Sequence, residues 1–139
     1  MASLPDDAGL TEGRGKWVLS VGGGTVTQIR IDHAFTLLVE SWLAIRISTR
    51  FTYGPPGDPR WFEPSDAARL APLLTLHQAT VTSAEIQKDG QLTVVFTDGA
   101  VLSVLPDDQF EAFTVTGDLP PIRREFTFVA RPGGGLARL

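Results

Sequence analysis

Residues 80–105, TVTSAEIQKDGQLTVVFTDGAVLSVL, decide the fold that this sequence predicts. The stretch contains two Asp-Gly pairs, Asp89-Gly90 and Asp98-Gly99, each between alternating apolar residues. A tight hairpin requires positive φ at its central residues. Glycine adopts positive φ freely and aspartate tolerates it, so Asp-Gly strongly favours a hairpin. These residues are therefore predicted to form three antiparallel strands joined by two tight turns, a β-meander.

The middle strand of this meander shows which side chains face the core. Leu92, Val94 and Phe96 alternate with mostly polar residues, and a period of two places them on one face of a sheet. Asp89 and Asp98 are interpreted as turn residues rather than catalytic carboxylates, because turn chemistry explains both.

A second, weaker meander is predicted upstream at residues 25–48, TVTQIRIDHAFTLLVESWLAIRIS. Its Thr-Val-Thr start matches that of residues 80–82, and its middle strand repeats the apolar alternation at Phe35, Leu37 and Val39. We interpret the agreement through three strands as an internal duplication, with half-repeats at 25–51 and 80–105.

The predicted fold is mainly β with a minor α component. Two duplicated three-stranded antiparallel meanders form a sandwich or a partly open barrel, one short helix lies between them, and a strand pair ends the chain. The helix is predicted at residues 65–76, with Leu70, Leu73 and Leu74 on one face and a kink at Pro72.

Length and composition limit the classes of protein that the sequence fits. Residues 1–14 are predicted to be a disordered leader and residues 15–139 a single β-rich domain. The 139-residue chain has no cysteine, which excludes thiol chemistry and Cys-ligated metals, and its net charge of −4 argues against nucleic-acid binding. The sequence shows neither a membrane span nor a secretory signal, so no membrane partner and a cytoplasmic location are predicted.

Residues 51–64, FTYGPPGDPRWFEP, form the longest stretch without periodicity. Four prolines and two glycines predict an irregular loop, and long loops in compact domains are often functional. Two alternatives remain open for Trp61 and Phe62: they plug one end of the core, or they are exposed and form a binding surface. The interface candidates in this stretch are Tyr53, Arg60, Trp61 and Phe62.

Trp42 lies near a predicted hairpin tip, where the later meander has its second Asp-Gly pair. Tryptophan suits positive φ poorly, so this turn is predicted to be wider or of another type. Trp42 either folds back over the sheet or is exposed as an anchor for a partner, since tryptophan is enriched at binding hot spots.

Three carboxylates, Asp107, Asp108 and Glu111, lie within five residues. They lack the Asp-x-Asp-x-Asp-Gly pattern of a calcium loop, so no metal site is predicted, and a helical turn capped by Asp107 or Asp108 is favoured. They join the interface candidates because clustered negative charge suits a basic partner.

Several motifs together resemble a known family. TVTQIRID, LAPLLTLHQATVTSA, DGAVLSVLPDDQFEAFTVTG and RPGGGLA, in this order, are similar to an uncharacterised family of small actinobacterial proteins with a domain of unknown function. The family pattern has a Thr-Val-Thr strand, a Leu-Ala-Pro-Leu-Leu segment, an aromatic-Glu-Ala-aromatic motif and a Gly-rich end. Phe110 and Phe113 stand where Tyr and Trp are usual. The resemblance implies an actinobacterial cytoplasmic protein and supplies no activity.

The first hypothesis for function is a non-catalytic protein-binding module, such as an immunity or inhibitor-type protein against a basic partner. The sequence has no nucleophile–base pattern and no two-His metal spacing, so no catalytic residue, metal or cofactor is predicted. The alternative is a small-molecule-binding domain or enzyme that uses a groove between the sheet halves, with Asp32, His33 and Glu40 as its polar groups. A homodimer is a third hypothesis, since edge strands must be covered.

Overall fold

A computed structural model describes residues 10–119 and 124–139, which form two antiparallel sheets around one apolar core. The strands are β1 Leu10–Gly13, β2 Lys16–Leu19, β3 Val26–Ile31, β4 Phe35–Val39, β5 Leu43–Ile47, β6 Phe51–Gly54, β7 Arg60–Phe62, β8 Val81–Gln87, β9 Leu92–Phe96, β10 Val101–Val104, β11 Phe113–Leu119, β12 Arg124–Ala130 and β13 Leu136–Arg138. The order is β1-β2-β8-β9-β10-β6-β7 in the larger sheet and β13-β12-β11-β5-β4-β3 in the smaller. Neither order closes into a barrel, so the predicted mainly β fold is confirmed in its sandwich form.

The two predicted meanders form, one in each sheet: β3 to β5 in the smaller and β8 to β10 in the larger. The first pairing of each meander contains a β-bulge, between Val26 and Gln28 in one and between Val81 and Ser83 in the other. These bulges lie at corresponding positions of the two stretches. The apolar positions of both middle strands are at most 2% exposed: Phe35, Leu37, Val39, Leu92, Val94 and Phe96.

Each meander is extended by the strand that follows the other one. β6 follows the first meander and pairs with β10 of the second, whereas β11 follows the second and pairs with β5 of the first. The first residues of these two strands, Phe51 and Phe113, are both fully buried. Because the strands cross over, neither half of the chain has a sheet of its own.

The two halves also meet directly at the start of their meanders. Thr25 and Thr80 form an isolated antiparallel bridge. Beside it, the N–H of Val26 and the N–H of Val81 each donate to a carbonyl of the other half, at 2.9 and 2.8 Å. This reciprocal pair joins the two sheets at one end of the sandwich.

The prediction of an irregular loop at residues 51–64 is wrong. β6 and β7 pair as a hairpin, with Phe51 opposite Phe62 and Tyr53 opposite Arg60. Three of the four prolines lie in the connection between these strands, where a missing N–H breaks no ladder bond. β7 is the last strand of the larger sheet.

The helix between the meanders is a 310 helix, Ala67–Leu76, that packs beside β3. Pro72 lies inside it and lacks the N–H that an α-helical bond would need. A 310 helix has three residues per turn, so its buried face repeats at every third residue: Leu70, Leu73 and Leu76. The predicted face is therefore wrong at Leu74, which is 52% exposed. No helix of the described residues has the length and apolar character needed to cross a membrane.

Both ends of the chain depart from the prediction in detail. Leu10–Gly13, assigned from sequence to the disordered leader, form β1, because Leu10 is completely buried in the core. Residues 1–9 and the predicted strand break at Pro120 and Pro121 lie outside the described residues. The predicted C-terminal strand pair is β11 with β12, and β13 adds a third strand.

The Gly-rich segment at 131–135 connects three turns. The N–H of Gly135 donates to the Asp89 carbonyl at 2.7 Å, and the N–H of Gly133 donates to the Asp107 carbonyl at 2.6 Å. Gly90 has a φ of +103°, and a Cβ there would lie 2.9 Å from the Gly135 carbonyl oxygen. The segment is therefore structural, and it holds the loop that contains Asp107 in place.

Candidate functional site

Three exposed apolar side chains gather at the end of β7. Trp61, Leu105 and Phe110 are 58%, 53% and 64% exposed. Trp61 and Leu105 line one shallow depression together with Asp107 and Asp108, and Phe110 lines its neighbour together with Arg50. We call these six residues the Trp61 surface. Exposed apolar patches rimmed by polar groups commonly mark interaction sites on soluble proteins.

The alternation of β7 explains why Trp61 is exposed while Phe62 is not. The Phe62 ring stacks on Phe51 at 5.8 Å, and Phe51 stacks on Phe35 of the opposite sheet at 5.5 Å. Successive side chains of a strand point to opposite faces, so Trp61 points away from this stack. The sequence left two alternatives open for these residues. Phe62 plugs one end of the core, whereas Trp61 is exposed.

A cation covers part of the Trp61 ring. The Arg50 guanidinium carbon lies 4.7 Å from the ring centroid, which is cation–π geometry. Arg50 is in the short connection between β5 and β6. Because these two strands lie in different sheets, Arg50 is at the crossing from one sheet to the other. The guanidinium therefore borders the exposed indole.

The loop that carries Phe110 is ordered by Asp107. The Asp107 carboxylate oxygen Oδ2 accepts the N–H of Gln109 at 2.9 Å and the N–H of Phe110 at 3.0 Å. The predicted Asp cap is therefore present, but the segment it caps is a bend and not a helical turn. Asp108 and Glu111 are exposed beside it.

On its other side, Trp61 borders a groove of about 700 Å³, which we call the β7 groove. One wall is the β6–β7 hairpin with Tyr53 and Phe62, and the other is the 310 helix with Ala68 and Pro72. This volume lies in the range of about 300–1,000 Å³ that is usual for ligand pockets. The wall is mostly apolar, which favours occupants with apolar side chains.

Tyr53 brings a phenol to this groove. Its ring meets Phe96 edge-on, with centroids 5.9 Å apart. Burial raises the pKa of the Tyr53 phenol above its ordinary value, and the negative charge of Asp98 raises it further. The phenol is therefore neutral at physiological pH and retains its O–H donor.

Negative side chains outnumber positive ones around Trp61 and the groove. Arg69 is paired with Asp66 at 3.2 Å, and Arg50 lies over Trp61. Arg60 is exposed on β7 with no ion pair to another described residue. The acidic side chains that line the same depressions include Asp58, Glu63, Asp107 and Asp108.

Trp42 is not part of this surface. It is half-buried against the core, at the end of β5 opposite to Arg50, and its carbonyl accepts the N–H of Asp118 at 3.0 Å. The turn before it differs in type from the Asp-Gly turns, as predicted. Glu40 and Ser41 both have positive φ, 52° and 62°, whereas each Asp-Gly turn has positive φ only at its glycine.

The polar residues considered for a catalytic groove do not converge. Asp32 and His33 precede β4 whereas Glu40 follows it, so they lie at opposite ends of that strand. Asp32 is paired with Arg46 at 3.1 Å. Within the described residues, no group of three or more His, Asp or Glu side chains has the arrangement of a metal site.

Sequence reasoning missed Arg50, Leu105 and Phe110 as surface members. For Leu105 and Phe110 a signal was present: each is a large apolar residue beside proline or aspartate in a segment without periodicity. No signal identified Arg50, because its contact with Trp61 depends on the pairing of β6 with β7.

A family model described as a family of unknown function (DUF6188) matches residues 17–139. This match confirms the predicted resemblance to a family with a domain of unknown function. Comparisons with curated proteins and with solved structures find no match.

Proposed function

The chain belongs to the DUF6188 family of unknown function, and we propose that it is a non-catalytic protein-binding module that binds a basic partner on the Trp61 surface. The single observation that carries the proposal is the clustering of Trp61, Leu105 and Phe110, each more than half exposed, in adjoining depressions. Tryptophan is among the residues most enriched at binding hot spots, and apolar anchors with a polar rim are typical of interface centres.

The charge around the anchor supports a basic partner. Asp107, Asp108 and the nearby Glu111 stand beside the apolar cluster. Charge complementarity steers the encounter of two proteins and suppresses wrong partners. We propose that the chain is an immunity or inhibitor-type protein that neutralises a basic protein.

The first step of the test is to identify the partner in living cells. A photo-crosslinking amino acid in place of Phe110 is expected to trap one basic protein, whose affinity is then measured with purified variants. Trp61→Ala is expected to weaken binding about 30-fold, since truncating a hot-spot residue costs about 2 kcal/mol. Its stability should change little because the side chain is largely exposed.

Leu139→Ala is the matched control, since Leu139 is 80% exposed and lies in the C-terminal segment after β13. It should leave the affinity unchanged. Asp108→Lys is expected to slow association and to weaken its salt dependence. Equal binding by the Trp61→Ala and Leu139→Ala variants would refute the proposal.

A small-molecule ligand in the β7 groove is the alternative function, whether for binding or for an enzyme. The observation that favours it is the groove volume of about 700 Å³ with an apolar wall. A ligand held there should raise the melting temperature, and Phe110→Ala, outside the groove, should not alter that increase.

We propose further that the two meanders arose by internal duplication. The matching bulges after Val26 and Val81 and the reciprocal bonds at Thr25 and Thr80 support it. A cytoplasmic location and an actinobacterial origin stay predictions from the sequence. Homodimerisation also stays a prediction, and light scattering at several protein concentrations tests it.

A further inference from the structure

The outer edge of β7 carries backbone groups that no other described strand pairs. β7 is last in the larger sheet, and β6 pairs with its inner side only. Within the described residues, the N–H and C=O groups of Arg60–Phe62 make no backbone bond outside the β6–β7 ladder. An unpaired strand edge is a template for a further strand.

This strand borders a space that can hold an extended chain. The β7 groove is lined on one side by the β6–β7 hairpin, with Tyr53 and Arg60–Phe62, and on the other by Ala68, Arg69 and Pro72 of the 310 helix. Three strand residues span about 10 Å, so the edge matches a segment of three to five residues. A strand laid there would direct alternate side chains toward the groove and toward Trp61.

Charge specifies the chemistry of the occupant. Arg69 is paired with Asp66, and Arg60 lines the groove as a cation with no ion pair to another described residue. Asp58 and Glu63, which line the groove and the depression next to it, have no such ion pair either, so these unpaired carboxylates outnumber the one unpaired cation of the groove. Asp107 and Asp108 add negative charge beyond Trp61. An extended segment with lysine or arginine at alternate positions complements this field, and β-branched residues between them suit the apolar wall.

We propose that the β7 groove binds an extended basic segment of a protein partner, which adds to the outer edge of β7 as a further strand of the larger sheet. The inference rests on the proposed protein-binding function and names the mode and chemistry of recognition. Main-chain hydrogen bonds to Arg60–Phe62 supply part of the affinity, and pockets for alternate side chains supply specificity.

The experiment uses a displayed library of random eight-residue peptides, selected against the full-length protein. Enriched peptides are expected to alternate lysine or arginine with β-branched residues. Methylating the backbone nitrogens that face β7 should weaken binding at least about ten-fold, because each lost hydrogen bond leaves a carbonyl of β7 unpaired. Methylating the intervening nitrogens should change it little. Hydrogen exchange should slow, when the peptide binds, at those amides of Arg60–Phe62 that face away from β6.

Two helix variants test the location. Ala68→Trp fills the groove from an exposed position and is expected to weaken peptide binding at least about ten-fold. Leu74→Trp is the control, because Leu74 is exposed on the same helix but lines a depression beside β3. Thermal melts verify that both variants fold.

The inference is overturned if the selection enriches no peptide or enriches acidic peptides. It is also overturned if neither N-methylation of the peptide nor Ala68→Trp changes the affinity. A second copy of this chain as the occupant would also overturn it and would appear as a concentration-dependent dimer. If the crosslinked partner binds Ala68→Trp normally but not Trp61→Ala, strand addition fails while the proposed function stands. If it binds Trp61→Ala normally, the proposed function itself fails.

Discussion

At the scale of the single residue, Thr36 combines burial with an unsatisfied hydroxyl. It is 5% exposed, and its Oγ1 has no hydrogen-bond partner among the described residues. Phe35 and Leu37 face the core, so Thr36 faces outward, directly between Arg30 and Arg46 of the neighbouring strands. The aliphatic stems of long cationic side chains can cover a small neighbour in this way.

Thr36→Val is expected to raise the free energy of unfolding by about 1 kcal/mol, because it replaces a buried unpaired hydroxyl with a methyl group of similar shape. Urea denaturation measures the change. Thr116→Val, on the same face but exposed, is the control and should change the free energy by less than about 0.5 kcal/mol. A loss of stability in Thr36→Val would mean that the hydroxyl has a partner, such as a bound water.

The exposure of Trp61 could not be predicted from the sequence. Two adjacent aromatics in a Pro-rich stretch could both be buried or both exposed. Only the strand conformation of β7 separates them, because adjacent strand residues take opposite faces. That conformation was hidden by prolines that belong to the connection before it.

At the scale of the element, the sequence predicted the position of the helix but not its winding. The spacing of the apolar residues predicted an α-helix with Leu70, Leu73 and Leu74 on its buried face, and Pro72 predicted a kink. The 310 winding replaces Leu74 with Leu76 on the buried face.

By contrast, the positions of both Asp-Gly turns were predictable, because Gly90 and Gly99 take the positive φ that the turns need. Positive φ at the aspartates was wrongly predicted: Asp89 and Asp98 have none, and each carboxylate instead accepts the N–H two residues further on.

Leu73→Ala is expected to lower the free energy of unfolding by about 2–5 kcal/mol, because it leaves a cavity at a fully buried position. Leu74→Ala, one residue away, should cost less than about 1 kcal/mol, since its side chain is half exposed. Thermal and urea denaturation measure both. Similar losses for the two variants would contradict the 310 winding and restore the α-helical prediction.

At the scale of the whole molecule, the exchange of strands makes each sheet depend on both halves of the chain. β10 in the second half pairs with β6 of the first, and β5 in the first half pairs with β11 of the second. Periodicity specifies which face of a strand is buried but not which strand lies beside it, so the sequence predicted two meanders without this exchange.

Residues 1–78 and 79–139, produced as separate fragments, are therefore each expected to lack a cooperative thermal transition, because each loses a neighbouring strand and half of the core. Mixing them should restore the β-sheet circular dichroism and the transition of the intact chain. The refolded full-length protein is the control. A cooperative transition in either fragment alone would show that a half can fold by itself.

The crossing of β11 to β5 also has a consequence during synthesis. The N-terminal meander leaves the ribosome long before the strand that completes its sheet has been translated. A nascent chain therefore carries an open sheet edge until β11 has emerged. Protease resistance should consequently appear late and all at once, and chaperones that shield such edges should matter most in that interval.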